Sequence, residues 1–502
     1  MSAMADGAPP RSELFAITVK ALLALAVLLA AYPLVRAFYG FEIDYNEGWN
    51  AFFQLRAIAG EPLYAGYSPL LFNNYPPLSF YIVGALGHVT GDPVLAGRLL
   101  SLAALASIAL TCGAVVRQAG GSRMDAGLAL ATCLLLFACF ATDYLGMNDP
   151  NMLALAFITG GLALHLGGAD KPARAALTAL LLAVGLLTKH NLILVPLLIA
   201  GDVLLRGTPR VRLAFFGTGI ALAAASSALL WLLAGEAFFA QLLAPRTWSV
   251  ERAFLFTTEI LGRYQAPLIV VGLGLIAARA CAPAGFILAY LVLAVALGGF
   301  LAGGAGTDIN VYFDLIVALA IGAGLVSREL RERGLSSRCQ AALALAINAG
   351  ALFHAPLGLG RFAVDALAEM AQRERLFEAD AAYLRAMPGP AICESQLLCL
   401  TAGKPLFYDS FNANQAMLTG RLPSGTLNGM LRRHEVALVQ VSSERQHAPG
   451  DPAGAQTMPA RFVNFEDDVF DQLERDYVLD RVGISGRFYR PRPRGGSIIP
   501  SS

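Results

Sequence analysis

Apolar runs of membrane-spanning length recur along this chain, and nothing else in it limits the fold as sharply. A transmembrane helix needs about 20 such residues. Runs of this kind lie near residues 14–36, 94–116, 124–142, 151–168, 174–188, 190–205, 211–234, 265–280, 283–304, 309–326 and 339–358. Charged residues make up 15% of the chain, against about 25% in an ordinary soluble domain. The reading is a mainly α, polytopic membrane helix bundle of about 11 spans. The apolar stretch Leu14–Leu34 is too long for a signal-peptide core and no small-residue cleavage site follows, so it reads as an uncleaved first span after a short polar N-terminus, Met1–Glu13. A net charge of +1 gives no reason to expect an acidic polymer, so nucleic acid is set aside as a partner.

Arginine and lysine fix the orientation. Segment 78–91 is apolar but too short to cross. If it lies along the interface, Arg117/Arg123, Lys171/Arg174, Arg206/Arg210/Arg212 and Arg328/Arg331/Arg333/Arg338 all fall on one side. The positive-inside rule makes that side cytoplasmic. The expectation is a multi-pass bacterial inner-membrane protein with a cytoplasmic N-terminus and a periplasmic C-terminal part. Residues 1–360 form the membrane domain, with residues 39–92 an outer loop carrying juxtamembrane helices.

Residues 361–502 differ in texture. Charges return, Pro and Gly interrupt the pattern, and no spanning run appears. Pro390–Cys393 and Val436–Val441 read as strands between helical stretches Phe362–Met387 and Asp467–Tyr477, giving a small outer-face α/β domain. Cys393 and Cys399 would face an oxidising compartment; a disulfide and two unpaired thiols both fit. Cys112, Cys133, Cys139 and Cys281 sit in apolar spans and read as packing residues.

The remaining polar residues gather in the outer loops. Asp44 and Glu47 are one helical turn apart beside Tyr45, Trp49, Phe52 and Phe53, a setting that partly desolvates a carboxylate and raises its basicity. Trp49–Ala59 is amphipathic and suits an interfacial helix. The second outer loop offers Asp143 and Asp149, the latter equally suited to capping the helix that starts at Pro150. Lys189-His190-Asn191 breaks two apolar runs at the outer surface. Lysine there opposes the positive-inside trend and calls for an anionic partner such as a phosphate, or else snorkels at a helix end. Residues 235–264 read as an outer loop bearing Arg246, Arg252 and Arg263; Arg263, nearest the next span, is taken as the phosphate clamp. The loop Gly303–Asn310, followed by Tyr312, is polar and lies above another span. Acids on one side of a membrane-level cavity, with cations and amides on the other, suit transfer from a lipid phosphate. A base takes the acceptor's proton while positive groups hold the departing phosphate.

The arrangement resembles the GT-C class of integral-membrane glycosyltransferases, in particular the bacterial aminoarabinose transferase and protein-mannosyltransferase-like branch. The matching pieces are Asp44–Gly48, Gly60–Tyr64, Asn74–Leu78, Arg98, Asn148–Pro150, Thr188–Asn191, Gly306–Tyr312, Pro388–Glu394, Ala402–Lys404 and Tyr408–Phe411, spread over nearly the whole chain. The resemblance implies an inverting transferase using a polyprenyl-phosphate sugar donor and a lipid, glycan or protein acceptor among membrane lipids. It maps the catalytic base onto Asp44 with Glu47 as its partner, and an orienting acid onto Asp149. It maps donor binding onto Lys189 and onto Asn74 and Tyr75; His190, Asn191, Arg263, Asn310 and Tyr312 complete the donor-phosphate set. Asp44 and Glu47 are separated by two residues where some relatives have adjacent acids, and the aminoarabinose transferases have more spans. No cofactor is demanded: use of a divalent cation varies across the class, and no compact His/Cys cluster forces a metal. A secondary transporter and a non-catalytic envelope-assembly protein are the rival readings. The polar groups, however, cluster at one face rather than at the midplane of paired repeats.

Overall fold

The computed structural model describes residues 13–168, 170–279, 282–445 and 464–493; the polar N-terminus expected ahead of the first span lies, up to residue 12, outside them. All eleven expected spans are helical. In chain order the helices are α1 (Leu14–Arg36), α2 (Asn46–Ile58), α3 (Leu78–Thr90), α4 (Pro93–Gln118), α5 (Arg123–Phe140), α6 (Pro150–Leu166), α7 (Pro172–Thr188), α8 (Leu194–Arg206), α9 (Pro209–Ala234), α10 (Glu236–Leu242), α11 (Val250–Ala277), α12 (Ala282–Ala302), α13 (Phe313–Glu332), α14 (Ser337–Ile347) and α15 (Ala349–Arg361). Among the described residues seven helices are long and apolar enough to cross a membrane, eight if the pair bent by 59° at residue 348 is one span. Among the other expected spans, α6 and α7 have 17 residues each and α8 has 13. The segment read as interfacial, α3, has 13 residues and so is only about 20 Å long, short of the roughly 30 Å hydrocarbon core.

Helix α13 runs through the middle of the bundle, buried from Phe313 to Ser327. Its sequence explains that position: from Phe313 to Ser327 Asp314 is the only ionisable residue, and it accepts a hydrogen bond from Tyr290 Oη at 2.6 Å. Gly324 lets the neighbouring helices close in, since a Cβ there would lie 2.5 Å from Val116 Cγ2 and 2.9 Å from the Asp125 carbonyl. The arginine-rich ends of the helices gather at one end of the bundle. Arg331 pairs there with buried Asp125 at 3.1 Å, and Ser337 accepts from the Phe15 N–H at 2.8 Å.

One boundary differs from expectation. The helix expected from residue 265 begins at Val250, so Arg252 and Arg263 stand on α11 rather than in a loop. Glu251, Arg252, Glu259 and Arg263 hide this stretch from a hydropathy reading. Its N-terminus is capped by Ser249, which accepts from the Arg252 N–H at 3.3 Å.

The expected C-terminal α/β unit is present. Helix α15 continues through a π-helical turn, Phe362–Glu369, into α16 (Met370–Ala386), so the last membrane helix and the C-terminal unit share one rod. Beyond it come β1 (Ala391–Cys393), α17 (Gln396–Thr401), α18 (Ser410–Leu418), α19 (Thr426–Arg433), β2 (Leu438–Val441), α20 (Asp467–Asp476), β3 (Tyr477–Gly483) and β4 (Gly486–Pro491). The sheet order is β1-β2-β4-β3, with β1 and β2 parallel and the rest antiparallel. Both expected strands are there; the β3–β4 hairpin was not foreseen. Cys393 and Cys399 are joined in a disulfide.

This unit does not sit apart from the first outer loop. One apolar core combines Trp49, Phe53 and Phe80 of α2 and α3 with Phe377, Leu397, Leu438 and Phe488. Helices α2 and α17 touch at Gly48, where a Cβ would come within 2.0 Å of the Leu397 nitrogen. The contact positions the start of α2, and with it the acids of the first loop.

Candidate active site

A cavity of about 320 Å³ opens where four breaks in the helical framework meet: the starts of α2 and α6, the α7–α8 junction and the loop before α13. A fifth wall comes from the C-terminal unit through Asp409, Phe411 and Asn412.

Asp149 is the N-cap of α6. Its Oδ1 accepts from the Asn151 N–H at 2.8 Å, while Oδ2 has no partner among the described residues, although Asp149 is only 8% exposed. The capping and functional readings of Asp149 are therefore compatible, one oxygen serving each. Opposite stands Lys189, the residue that ends α7 and is 4% exposed. Its Nζ lies 3.3 Å from the centroid of the Tyr75 ring, whose edge packs on Trp49 at 4.8 Å. Burial lowers the Lys189 ammonium to about 8; Asp149 opposes this and Arg246 adds to it. Next to it, His190 Nδ1 and Asn191 Oδ1 are buried without partners, as are Asn74 Oδ1 and Asn151 Oδ1 across the cavity. Native proteins leave few buried polar atoms unsatisfied, so five around one cavity are a signature of a polar ligand.

Asp44 does not itself line the cavity but lies next to residues that do. Its neighbours Tyr45 and Asn46 line the cavity, and its Oδ1 accepts from the Asn46 N–H at 3.1 Å. Burial pushes its carboxyl up to about 6, and the charges of Asp149, Asp308 and Glu47 add to that, against the Asn46 hydrogen bond. Asp308, before α13, is raised by burial as well. Asn310 lines the cavity and turns its Oδ1 to the Asp308 N–H at 3.1 Å.

Three expected site residues are elsewhere. Glu47, 0% exposed, pairs with Arg98 through both oxygens, at 2.8 and 2.6 Å, and also accepts from the Ile43 and Asn148 N–H groups at 2.8 and 3.0 Å. A carboxylate so occupied has no lone pair to spare for a substrate proton; it holds the first outer loop against α4. Arg263 does not line the cavity but forms an exposed i,i+4 ion pair with Glu259. Tyr312 is buried behind the wall, its hydroxyl bonded to Thr257 at 2.8 Å.

Two residues take the places left open. Arg246, passed over for Arg263, lines the cavity; it donates to the Ala305 carbonyl at 3.2 Å and to Asn412 Oδ1 at 2.9 Å, and lies over the Phe411 ring. Asp409 caps α18, accepting from the Asn412 N–H at 3.0 Å, and burial raises its carboxyl to about 6. Among the described residues no group of three or more His, Cys, Asp or Glu side chains is arranged to hold a metal ion.

No protein-family profile and no curated protein matches the chain in sequence. Solved structures do match it. The glycosyltransferase ArnT from Cupriavidus metallidurans, in its apo state, superposes with a TM-score of 0.60 at 15% identity, over 94% of this chain and 98% of that one. The same enzyme bound to undecaprenyl phosphate gives 0.59 at 14% identity, over 95% and 98%. The chain has the GT-C fold. The Archaeoglobus fulgidus oligosaccharyltransferase is more distant, with a TM-score of 0.49 at 11% identity, over 84% of this chain and 69% of that one. The GT-C fold accounts for the near end-to-end match to ArnT, including the small sheet that follows the last membrane helix.

Proposed function

We propose that the chain is an inverting glycosyltransferase. It takes a sugar from a polyprenyl-phosphate donor and passes it to an acceptor hydroxyl at the outer face of the bacterial inner membrane. The observation that carries this is the cavity itself: buried Lys189 and half-buried Arg246 share its wall with Asp149, Asp44 lies beside the lining residues Tyr45 and Asn46, and five lining polar atoms have no partner among the described residues. The ArnT structure bound to undecaprenyl phosphate supports a lipid-phosphate donor for a chain of the same fold.

Asp44 accepts the proton of the acceptor hydroxyl, its raised carboxyl still ionised near neutral pH yet more basic than a free aspartate. The hydroxyl oxygen attacks the anomeric carbon from the face opposite the phosphate. The carbon–oxygen bond to phosphate then breaks, and the electron pair leaves with the polyprenyl phosphate. Attack from that face inverts the anomeric configuration. Lys189 and Arg246 hold the charge that grows on the leaving phosphate. Asp149 Oδ2 orients a donor or acceptor hydroxyl, and Asn74, Asn151, His190 and Asn191 offer their open polar atoms to the sugar; Tyr75 and Asn310 complete the wall. The arginine-lined end of the bundle is cytoplasmic by the positive-inside rule. The C-terminal unit then faces an oxidising compartment, which suits the Cys393–Cys399 disulfide.

The test is transfer of label from radiolabelled polyprenyl-phosphate sugars by the purified full chain in lipid, with wild type compared with Asp44→Asn. Turnover by wild type that Asp44→Asn loses supports the reading. A folded wild type that transfers from none of these donors ends it and returns the transporter and assembly readings.

A further inference from the structure

A second pocket, of about 240 Å³, lies on the other side of α18 from the transfer cavity. Asp409 lines the first space and Tyr408 the second, although their Cα atoms are only about 3.8 Å apart. The division continues along α18: Phe411 and Asn412 line the transfer cavity, Asn414 and Met417 the second pocket.

The chemistry of this pocket is specific. Tyr408 and Asn428 are 3% and 7% exposed, yet Tyr408 Oη and Asn428 Oδ1 have no hydrogen-bond partner among the described residues. The amide's orientation is not arbitrary, because Asn428 Nδ2 donates to Asp468 Oδ2 at 2.7 Å and that carboxylate can only accept. Asn428 Oδ1 is thus an acceptor held in place with nothing to accept from. Glu466 and Asp468 add further acceptors, and no Lys, Arg or His is among the described lining residues. The site asks for a donor-rich ligand that carries no negative charge. Met417, Leu427 and Phe465 supply apolar surface for C–H faces. The volume lies below the roughly 300–1,000 Å³ of pockets for drug-sized ligands, enough for a single small ring and too little for a lipid chain.

We infer that this pocket holds one sugar ring of a saccharide acceptor, next to the cavity where transfer occurs. Its hydroxyls donate to Asn428 Oδ1 and to the Glu466 and Asp468 carboxylates, and one pairs with Tyr408 Oη. The word acceptor rests on the glycosyltransferase reading; the sugar site itself does not.

Binding is tested without donor. Saturation-transfer NMR on the full chain in nanodiscs, with methyl pyranosides of gluco, galacto, manno and xylo configuration, reads the site directly, and methylammonium tests the amine that the acids would otherwise select. At least one glycoside binds. Tyr408→Phe weakens it about three- to tenfold, the loss of one hydrogen bond, without lowering Tm, because that hydroxyl has no protein partner to lose. Met417→Trp, which fills the pocket, abolishes binding, and Lys189→Ala, in the other cavity, leaves it intact. The inference is overturned if no glycoside binds, if binding survives both Tyr408→Phe and Met417→Trp, or if methylammonium binds there and the glycosides do not. Glycoside binding in a chain that transfers from no polyprenyl donor keeps the sugar site and removes only the transferase reading.

Discussion

Around Arg98, the outer loops bury a cluster of polar atoms that are all engaged. Both Glu47 oxygens, the Tyr39 and Phe41 carbonyls and the reciprocal Gln54–Asn148 amide pair close on one another at 2.5–3.0 Å. Beside these residues in each loop the picture reverses. Asp149 has a free oxygen, and Asn46 and Asn151 face a cavity. Both clusters combine acids, cations and side-chain amides. They differ in whether the protein satisfies its own hydrogen bonds, and that difference separates architecture from a place made for something else.

Substitutions test that division. Glu47→Ala leaves Arg98 charged and buried without a counter-ion, and costs about 3–5 kcal/mol in unfolding free energy. The double variant Glu47→Leu/Arg98→Met recovers most of it. A Glu47→Ala protein that melts like wild type but has lost turnover would move Glu47 into the chemistry and erase the distinction. Asp44→Asn has the opposite signature: kcat falls by at least about 100-fold while Tm holds. The same acid shapes the wild-type pH profile. Turnover declines as pH falls through about 6, where Asp44 takes up its proton, and donor binding weakens as pH rises through about 8, where Lys189 loses one. An acid limb that persists in Asp44→Asn would assign the base elsewhere, with Asp149 first in line.

Smaller effects sharpen the cation side. Lys189→Ala weakens donor binding about 10- to 100-fold, the worth of a charged hydrogen bond, and lowers kcat as well, because the charge it faces grows as the phosphate leaves. Arg246→Ala weakens donor binding about tenfold by the same reasoning. Arg263→Ala leaves donor KM unchanged and shifts stability by no more than about 0.3–0.5 kcal/mol, the value of an exposed helix pair. Equal defects in Arg246→Ala and Arg263→Ala would mean that the cavity extends further along α11 than its lining residues indicate.

The contrast between those two arginines also marks where reading the sequence ended. In the sequence Arg263 stands nearest the next apolar run, but α11 begins at Val250, and helical geometry turns Arg263 outward to Glu259. Arg246 reaches the cavity because its loop zips against a distant one: Ser249 N–H donates to the Gly303 carbonyl and Ala305 N–H to the Thr247 carbonyl, both at 2.9 Å. No local pattern encodes a pairing across more than fifty residues. Asp409 is legible in the sequence as part of Tyr408–Phe411, one of the family-like segments. Asp149 and Lys189 were legible because they interrupt apolar runs with groups that hydrocarbon cannot hold unpaired.

Hydropathy and charge placement by themselves determined a helical membrane bundle, its arginine-lined end, an α/β unit behind the last span and the loops where polar chemistry gathers. Those properties follow from the solvent each segment must face, which is a local matter. Whether a given acid is spent on an arginine or left facing a cavity depends on what folds back against it, and only tertiary contacts decide that. Glu47 and Asp44 lie one helical turn apart in the chain; Arg98 on α4 is what makes one of them a strut and leaves the other beside the cavity.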